Sequence, residues 1–315
     1  MIDTSEKKER EKVLFIVNPT SGKMAIKSKL FDILKLFSDN GFEPTVLLTQ
    51  KASDATVFTQ KYAQNFGRVI ACGGDGTLNE TVTGMMSLKQ EDRRPIGFIP
   101  TGTTNDLADT LKIPKTPIDA AIAIIENDAL PNDVGNFNNT KFFNYIASCG
   151  AFTSTSYATP QTMKNSLGHF AYVLEGIKSL NEIKPVYMKI KCDEMETEGD
   201  FLFAGVTNAL SVGGIYKFDA KHVNLSDGTF EVLLIRMPKN TTEIFEIFSN
   251  LANLKYEENQ VIFFHSSCVT IECEQPTKWT VDGEYAGTFE KVVIKNLPGA
   301  VNIFKPQGPP VEVLV

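Results

Sequence analysis

The stretch RVIACGGDGTLNE, residues 68–80, places three glycines and one aspartate directly after an apolar run. Glycines let a backbone approach a phosphate closely, and the free amides at the start of a helix favour an anion. Asp75 would repel that anion unless a magnesium ion accompanied the phosphates, because a carboxylate binds the metal, usually through its waters. The loop is therefore typical of a magnesium–nucleotide site. The alternative is a tight strand-to-helix turn in which Asp75 caps the helix.

The loop differs from the two common nucleotide motifs. No Gly-Lys-Ser/Thr follows it, as a Walker A loop requires, and the G-x-G-x-x-G spacing of dinucleotide sites is absent. Two further loops, NPTSGK (residues 18–23) and PTGTTNDLA (residues 100–108), also follow strand-like runs and are rich in Gly, Ser, Thr and Asn. We expect all three at the carboxyl ends of the strands, where open α/β sheets bind ligands. Three such loops on one edge favour a binding site over simple turns.

Two later motifs carry acidic residues next to glycine. WTVDGEYAG places Asp282 and Glu284 two residues apart, and such residues share one face of a strand. Two carboxylates on one face can serve as a base and as a partner whose charge raises the pKa of that base. The alternative is a hairpin turn, which the spacing alone favours, because Asp-Gly is a strong turn dipeptide. NLSDGTF, residues 224–230, offers the same alternative of an Asp-Gly turn.

The elements that must position these loops alternate through the first half of the chain. In one segment Leu30, Ile33, Leu34 and Phe37 recur at helical spacing, and in another Ser53 is a plausible N-cap. The alternating strands and helices are VLFIVNP, AIKSKLFDILKLFSDNG, EPTVLLTQ, SDATVFTQKYAQNFG, RVIAC, LNETVTGMMSL, PIGFIPTGTTND and PIDAAIAIIEN. Such alternation predicts an α/β domain with a parallel sheet and helices on both faces.

Strand-like segments dominate the second half of the chain. Asp-Gly, Gly-Gly and Pro turns punctuate them, which predicts a mainly antiparallel, sandwich-type β domain. Two helices interrupt this domain, near residues 165–180 and 241–254. The first is interpreted as core or, alternatively, as the wall of a lipid channel, and its His169 as a structural histidine.

Composition and charge restrict the class of protein. The 315 residues suffice for two domains, and the hydrophobic fraction of 42% and charged fraction of 22% are ordinary for a globular protein. A net charge of −7 argues against broad nucleic-acid binding. The five cysteines form no CxxC and the three histidines have no zinc-ligand spacing, which favours reduced, packed thiols in the cytoplasm. The N-terminus resembles no signal peptide, and no apolar run reaches membrane-spanning length.

The motifs NPTSG, GGDGTLNE and PTGTTNDLA, in this order and spacing, resemble the diacylglycerol-kinase-type lipid kinases, specifically their soluble bacterial branch. The resemblance continues through LGHFAYVLEGIKSL, LSDGTFEV and VDGE and covers nearly the whole chain after the charged N-terminus. GGDGT alone is less specific, because NAD kinases and phosphofructokinases share it. Its combination with PTGTTND and a late DGE is quite specific.

The resemblance implies a nucleotide-binding α/β domain followed by a β-sandwich-type domain, with ATP bound in the cleft. On this basis we expect an ATP-binding domain over residues 12–134, to which the tail 299–315 returns, and a lipid-substrate domain over residues 135–298. The implied nucleotide contacts are Asn18, Pro19, Thr20, Ser21, Gly22, Thr49, Gly73, Gly74, Asp75, Gly76, Thr77, Leu78, Asn79 and Thr103.

The resemblance also implies two roles for Mg²⁺ and a proton acceptor. Magnesium on the phosphates would be organised by Asp75, with Asp106 and Asp133 as further acids. The ligands of a separate structural magnesium would be Asn224, Asp227 and Thr229, although the upstream FDAKHVNL lacks a proline that commonly follows its alanine. The family places its proton acceptor in the DGE motif, which makes Asp282 and Glu284 the catalytic candidates and leaves open which of them takes the proton.

The sequence is thus identified as an ATP- and Mg²⁺-dependent lipid kinase that converts diacylglycerol, or a related neutral lipid, to its phosphate. Two alternatives remain: an NAD kinase, against which PTGTTND counts, and a non-catalytic nucleotide-binding regulator, against which the intact acids count. We expect a cytoplasmic protein that visits the membrane surface to reach its lipid and binds no nucleic acid. Family analogy suggests a homodimer.

Overall fold

The computed structural model describes most of the chain in two compact units. Unit 1 contains the described residues through Asn132 together with those from Ala300 onward, and unit 2 is Asp133–Gly299. The described residues are 9–22, 25–103, 105–151, 184–193, 195–209, 211–212, 216–217, 225–252 and 259–306. The predicted helix near 165–180, with His169, and the end of the tail lie outside them.

Unit 1 is built on a parallel sheet. Its strands are β1 (Glu11–Val17), β2 (Phe42–Leu48), β3 (Arg68–Gly73) and β4 (Ile96–Pro100). They lie in the order β2-β1-β3-β4, and Ile303, near the end of the chain's last strand, pairs in parallel with Ile96. Residues 13–17 of β1 are all buried, so both faces of this strand are covered, as in parallel sheets.

Five helices belong to unit 1. They are α1 (Ala25–Asp39), α2 (Asp54–Tyr62), α3 (Asp75–Met86), α4 (Asp106–Thr110) and α5 (Pro117–Glu126), with 3₁₀ turns at Ala63–Asn65 and Gln90–Asp92. α1 packs against α5 and against β2, and α2 packs against α3. The predicted alternation of strands and helices around a parallel sheet is confirmed. The short α4 was not predicted.

The start of α2 differs from the sequence-based expectation. Ser53 occupies the N-cap position, but its side chain makes no capping bond. Instead the Glu80 carboxylate, from α3, accepts hydrogen bonds from the amides of Ser53 (2.8 Å) and Ala55 (3.1 Å). The predicted capping by the Ser53 side chain is therefore wrong, because a residue from a neighbouring helix supplies the acceptor.

Unit 2 is mainly antiparallel, as predicted. Its longer strands are β7 (Ile146–Gly150), β8 (Val186–Cys192), β9 (Glu196–Thr207), β12 (Phe230–Arg236), β13 (Val261–Ser266), β14 (Cys268–Val281) and β15 (Glu284–Phe304), the last of which ends in unit 1. The others are β5 (Ala129–Phe137), which begins in unit 1, β6 (Lys141–Phe143), β10 (Ser211–Val212) and β11 (Tyr216–Lys217), and α6 covers Thr241–Ala252. Within unit 2 the strands lie in the order β13-β12-β9-β7-β14-β15, and β8 pairs with both β9 and β14.

Two apolar clusters stabilise unit 2, one on each face of the central strands. The larger contains Trp279, Phe137 and Phe230, all fully buried, and the second packs Ile244 and Ile247 of α6 against the sheet. Burying such side chains contributes about 1.5–3 kcal/mol each before the entropy of ordering is subtracted. The two clusters hold the strand ends that carry the acidic motifs.

Two further expectations concern the membrane and the cysteines. Among the described residues, no helix is both long and apolar enough to cross a bilayer. All five cysteines are free thiols, and Cys72, Cys149 and Cys273 are buried. Burial raises the pKa of the Cys72 and Cys149 thiols, which keeps them protonated and unreactive, as predicted for packed thiols.

Candidate active site

The three glycine-rich loops meet at one edge of the unit 1 sheet. They follow β1, β3 and β4, which are adjacent and parallel, so their carboxyl ends lie side by side. The amide of Asn18 donates to the Cys72 carbonyl (2.8 Å), and that of Thr101 donates to the Gly73 carbonyl (2.8 Å). The predicted convergence of the loops is confirmed.

Glycines bring the loop backbones into direct contact. Gly22 has φ +53°, and a Cβ added there would lie 2.0 Å from the Thr101 carbonyl oxygen. A Cβ added to Gly102 would lie 2.6 Å from the Cα of Gly74. A Cβ on Gly76, in contrast, would meet no atom within 4 Å. The loops therefore form a tight backbone cradle that leaves open space beside the first turn of α3, where a phosphate could approach.

We expect this packing to make Gly102→Ala destabilising by about 1–3 kcal/mol, because backbone atoms must move to admit the methyl group. Gly76→Ala is the matched control, since it adds the same methyl group to open space in the neighbouring loop. Thermal unfolding of the two variants, without nucleotide, measures the difference. Equal stability of both variants would show that the contact between Gly102 and Gly74 does not constrain the loops.

Asn18, in the loop after β1, forms hydrogen bonds within that loop and with α3. The Asn18 carboxamide oxygen accepts hydrogen bonds from the Thr20 amide (3.0 Å) and hydroxyl (2.9 Å), and its Nδ2 donates to the Thr77 hydroxyl (3.4 Å). The amide of Thr49, at the end of β2, donates to the Val17 carbonyl (2.9 Å) beside the same loop. These contacts tie the first loop to α3 and place it beside the end of β2.

The remaining predicted nucleotide contacts vary in accessibility. Thr103 is exposed, whereas the side chain of Leu78 is fully buried, so only the backbone of Leu78 could contact a nucleotide. Pro19, Ser21 and Asn79 are half-buried.

The start of α3 presents backbone amides to the cradle. Gly74 occupies the N-cap position and supplies no capping side chain, so the positive end of this 12-residue helix adjoins the loops. The Asp75 carboxylate accepts hydrogen bonds from the amides of Asp106 (3.2 Å) and Leu107 (3.4 Å), at the start of α4. Asp75 thus caps the neighbouring helix and not its own, and it joins the second loop to the third.

Burial raises the pKa of Asp75, and the amide hydrogen bonds from Leu107 and Asp106 oppose that rise. A buried carboxylate of this kind gains from a nearby cation, which would offset the cost of burying its charge. This is the property expected of an acid that organises magnesium on phosphates.

Asn105 was not among the predicted contacts but lies within the cradle. It has φ +54°, and its Nδ2 donates to the Gly102 carbonyl (2.9 Å). Its buried Oδ1 has no hydrogen-bond partner among the described residues. The hydroxyl oxygen of Thr101 is likewise buried without a partner. Both atoms are polar groups available to a ligand or its waters. The only feature of the sequence that could have indicated Thr101 and Asn105 is their position in the PTGTTND loop.

The structure corrects the geometry expected for Asp282 and Glu284. Asp282 and Gly283 form a two-residue turn between β14 and β15, with φ +45° and +85°, and Val281 pairs with Glu284 across it. These values are typical of a type I′ hairpin. The two carboxylates therefore do not share a face of one strand, because Asp282 lies in the turn itself. The turn alternative is confirmed, and the catalytic role of this motif stays a prediction.

The two acids of the hairpin have different surroundings. The Asp282 carboxylate is half-buried and accepts hydrogen bonds from three consecutive backbone amides, those of Asn144, Tyr145 and Ile146 (2.9, 2.9 and 3.0 Å). Glu284 is exposed, and no hydrogen bond or ion pair joins its carboxylate to any other described residue.

Asp133 holds two loops of unit 2. It is fully buried, and its two carboxylate oxygens accept hydrogen bonds from the amides of Gly228 and Gly299, both at 2.8 Å. Its predicted contribution to magnesium on the phosphates stays a prediction.

The SDGT motif forms an Asp-Gly turn that lies beside a buried acid. Asp227 is exposed, and its Oδ1 accepts from the amide (2.9 Å) and hydroxyl (2.8 Å) of Thr229. Asn224 lies outside the described residues, and no group of three or more His, Cys, Asp or Glu side chains within them is placed to hold a metal. Burial raises the pKa of nearby Glu231 to about 8, and the negative charges of Asp227 and Asp133 add to the rise.

Comparisons with known proteins agree with this geometry. Residues 12–137 match the diacylglycerol kinase catalytic domain, and residues 149–305 match a domain described as the YegS C-terminal NAD kinase beta sandwich-like domain. A diacylglycerol kinase of Staphylococcus aureus (strain JH9) is 34% identical over 303 residues, which cover 94% of this chain and 93% of that protein. This chain belongs to the diacylglycerol kinase family.

Solved structures of the family have the same fold. A protein of Bacillus anthracis str. Sterne, provisionally named a diacylglycerol kinase, is similar with a TM-score of 0.80 and 27% identity, over 95% of this chain and 98% of that one. Another, also named as a diacylglycerol kinase from that strain, has a TM-score of 0.74 at 24% identity, over 94% and 97% of the two chains. Family membership confirms the predicted resemblance, the enzyme class of lipid kinase and the pairing of an α/β domain with a β-sandwich-type domain.

Proposed function

We propose that this member of the diacylglycerol kinase family transfers the γ-phosphoryl group of ATP to the hydroxyl of diacylglycerol, or of a related neutral lipid, and so forms phosphatidic acid. The observation that carries the proposal is the cradle of three glycine-rich loops, joined by the Asp75 carboxylate at the start of α3. A kinase needs such a cradle for the phosphates, and a carboxylate within it needs a cation.

The residues present fit ATP with magnesium. The open space beside Gly76 leaves room for phosphate oxygens, and the α3 amides favour their charge. Asp75 and Asp106 would hold the metal with its waters, Thr49 would lie near the adenosine, and Asn18 would be a further nucleotide contact. When bound, Mg²⁺ would neutralise charge on the β- and γ-phosphates.

The reaction also requires a proton acceptor, which we place in the Asp282–Glu284 hairpin. As the lipid oxygen forms its bond to the γ-phosphorus, the bond from that phosphorus to the β-phosphate bridging oxygen breaks and ADP leaves. The hydroxyl proton passes to a carboxylate of the hairpin.

We also propose where the enzyme acts. It would be a cytoplasmic protein that associates transiently with the membrane surface, where its neutral lipid is found. The net charge of −7 supports a partner other than nucleic acid, and the family analogy supports a homodimer.

The test is a transfer assay with labelled ATP, Mg²⁺ and mixed micelles that carry diacylglycerol or other neutral lipids. We expect label in phosphatidic acid, and none when Mg²⁺ is replaced by EDTA. Glu290→Gln, which removes an exposed charge from the same strand as Glu284, should retain full activity. Label in NAD but in no lipid would replace this proposal with an NAD kinase. Binding of ATP without transfer to any acceptor would indicate a nucleotide-binding regulator.

A further inference from the structure

Glu80 joins the helix that begins at the cradle to the loop that follows β2. It is half-buried and lies in α3, five residues after Asp75. Each of its carboxylate oxygens accepts one hydrogen bond, from the amides of Ser53 (2.8 Å) and Ala55 (3.1 Å). Its backbone carbonyl accepts another from the Thr56 hydroxyl (2.9 Å). A single residue of α3 therefore makes three hydrogen bonds with the start of α2.

The two helices are also in close contact one turn further along α3. Gly84 follows Glu80 by four residues, so both lie on the same side of the helix. A Cβ added to Gly84 would lie 2.6 Å from the Cβ of Thr59, which is fully buried, and 2.7 Å from the Thr56 carbonyl oxygen. Because α2 packs directly on the backbone of α3, the start of α2 has a fixed position relative to the cradle.

A second carboxylate closes the loop between β2 and α2, residues 49–53. The Asp54 Oδ2 accepts hydrogen bonds from the amides of Gln50 (2.7 Å) and Lys51 (3.0 Å), and these bonds lower the pKa of Asp54. Ser53 has φ +70°, a backbone conformation that few residues other than glycine adopt, and its amide is one of the two that Glu80 binds. The 49–53 loop therefore has a defined shape, which Glu80 anchors on α3.

The same loop begins beside the cradle. The Thr49 amide donates to the carbonyl of Val17 (2.9 Å), the residue directly before Asn18 of the loop after β1. Thr49 is expected near the adenosine, whereas the cradle is expected to hold the phosphates. Glu80 thus connects the segment expected at the nucleoside end of ATP to the helix expected at its phosphate end.

We infer that Glu80 is a positioning residue for ATP, which holds the 49–53 loop at a fixed place relative to α3 so that the nucleoside and the phosphates are bound at the same time. This inference rests on the proposed function, because it concerns the same nucleotide site. Both carboxylate oxygens of Glu80 already accept backbone amides, so the side chain acts through the loop. A loop that is fixed before ATP arrives lowers the entropic cost of binding the nucleoside.

Glu80→Gln is expected to separate nucleoside binding from phosphate binding. Glutamine keeps the length of the side chain but replaces one acceptor oxygen by an NH₂ group, so one of the two amides loses its partner. The Kd and the KM for ATP should rise about 10-fold, whereas kcat at saturating ATP should change by less than about 2-fold. Inorganic triphosphate has no nucleoside, so its Kd should also change by less than about 2-fold.

The experiment measures calorimetric binding of ATP and of inorganic triphosphate, each with Mg²⁺, together with KM and kcat for ATP. The proteins are full-length wild type, Glu80→Gln and Glu43→Gln, which removes an exposed charge from β2 and should behave as wild type. Hydrogen exchange should be faster at the Ser53 and Ala55 amides in Glu80→Gln and unchanged at residues 76–78. Asp54→Asn, which loosens the same loop without a change in α3, should give the same separation and serves if Glu80→Gln fails to fold.

Three results would overturn the inference. Equal weakening of ATP and triphosphate binding would show that Glu80 supports the whole cradle, and unchanged ATP binding would show that the position of the loop is unimportant. Unchanged exchange at Ser53 and Ala55 would show that the carboxylate does not hold the loop. If wild type binds neither ATP nor triphosphate, the proposed function itself fails, and the exchange measurement still decides separately whether Glu80 anchors the loop.

Discussion

Asp75→Asn is expected to lower turnover with ATP and magnesium by about 100-fold or more while the free energy of unfolding changes by no more than about 1 kcal/mol. The effects on turnover and on stability have separate causes. Turnover should fall because the cradle loses the charge that would hold magnesium against the phosphates. The free energy of unfolding should change little, because the charge of Asp75 is costly in the folded protein, where burial raises the pKa of its carboxyl.

The hydrogen bonds of Asp75 explain why Asp75→Asn should change the free energy of unfolding only slightly. The carboxylate receives one amide on each oxygen, from Asp106 and from Leu107. Asparagine keeps one oxygen acceptor and loses the other, which costs about 1 kcal/mol. Relief of the buried charge offsets that loss. Stability and turnover should thus separate in this variant, which a merely structural aspartate would not show.

Nucleotide binding gives the sharper readout, because the sign of the effect should depend on the metal. Without Mg²⁺, the Asp75 carboxylate repels the phosphates, so Asp75→Asn should bind ATP as tightly as wild type or more tightly. With Mg²⁺, the same variant should bind more weakly. Calorimetry in EDTA and in Mg²⁺ tests this, with Asp119→Asn, an exposed aspartate in the first turn of α5, as the control. If Mg²⁺ strengthened ATP binding equally in wild type and in Asp75→Asn, the role of Asp75 would be limited to capping α4.

The cradle could be predicted from the sequence because each strand and the loop that follows it are adjacent in the chain. Strands β1, β3 and β4 are short apolar runs, each followed by a glycine-rich loop, and parallel strands bring their carboxyl ends to one edge. The contact between Gly102 and Gly74 follows from that arrangement. The order of the strands and helices along the chain is therefore enough to predict that the three loops lie at one edge of the sheet.

The errors have non-local causes. The helix α4 begins at Asp106 because Asp75, 31 positions earlier, accepts its first amides. Likewise α2 is capped by Glu80 from α3. No window of sequence around either helix contains the acceptor, so neither α4 nor the cap of α2 can be predicted from a local pattern.

The hairpin error has a simpler origin. Residues two apart share a face only where the strand is continuous, and the Asp282–Gly283 turn interrupts it. The turn was foreseeable from the dipeptide, but the three amides that bind Asp282 come from residues 144–146. Those distant amides, which no local pattern reveals, are the reason that the two acids of the hairpin have different surroundings.

A second large effect is expected from Glu231, in the β-rich unit. The metal-free protein should lose stability as pH rises from about 5 to 8, and Glu231→Gln should remove much of that loss. Burial raises the pKa of Glu231 from 4.5 to about 8, and the carboxylates of Asp227 and Asp133 add to it. Glu231 is 1% exposed, and no group in the part of the chain that the structure describes forms a hydrogen bond with its Oε2. The charged form is therefore poorly accommodated.

The sign follows from proton linkage. Between the unfolded pKa of 4.5 and the folded pKa of about 8, the folded protein binds a proton at Glu231 that the unfolded chain has released. Stability consequently falls as pH rises through this range and levels off above it. Because a tenfold change in the proton affinity of the carboxylate corresponds to about 1.4 kcal/mol, the upper limit of the effect is about 5 kcal/mol.

Chemical denaturation in EDTA at pH 5, 6.5 and 8.5 measures this effect. At pH 5 glutamine resembles the protonated glutamic acid, so wild type and Glu231→Gln should agree within about 1 kcal/mol. At pH 8.5 the variant should be the more stable protein by about 2 kcal/mol or more. Glu274→Gln, at an exposed position of β14, should follow wild type at every pH. Parallel pH profiles for wild type and Glu231→Gln would show that the folded protein accommodates the charged carboxylate. If Mg²⁺ removes the pH dependence of wild type alone, then a cation near Asp227 supplies the missing charge, as the predicted structural magnesium requires.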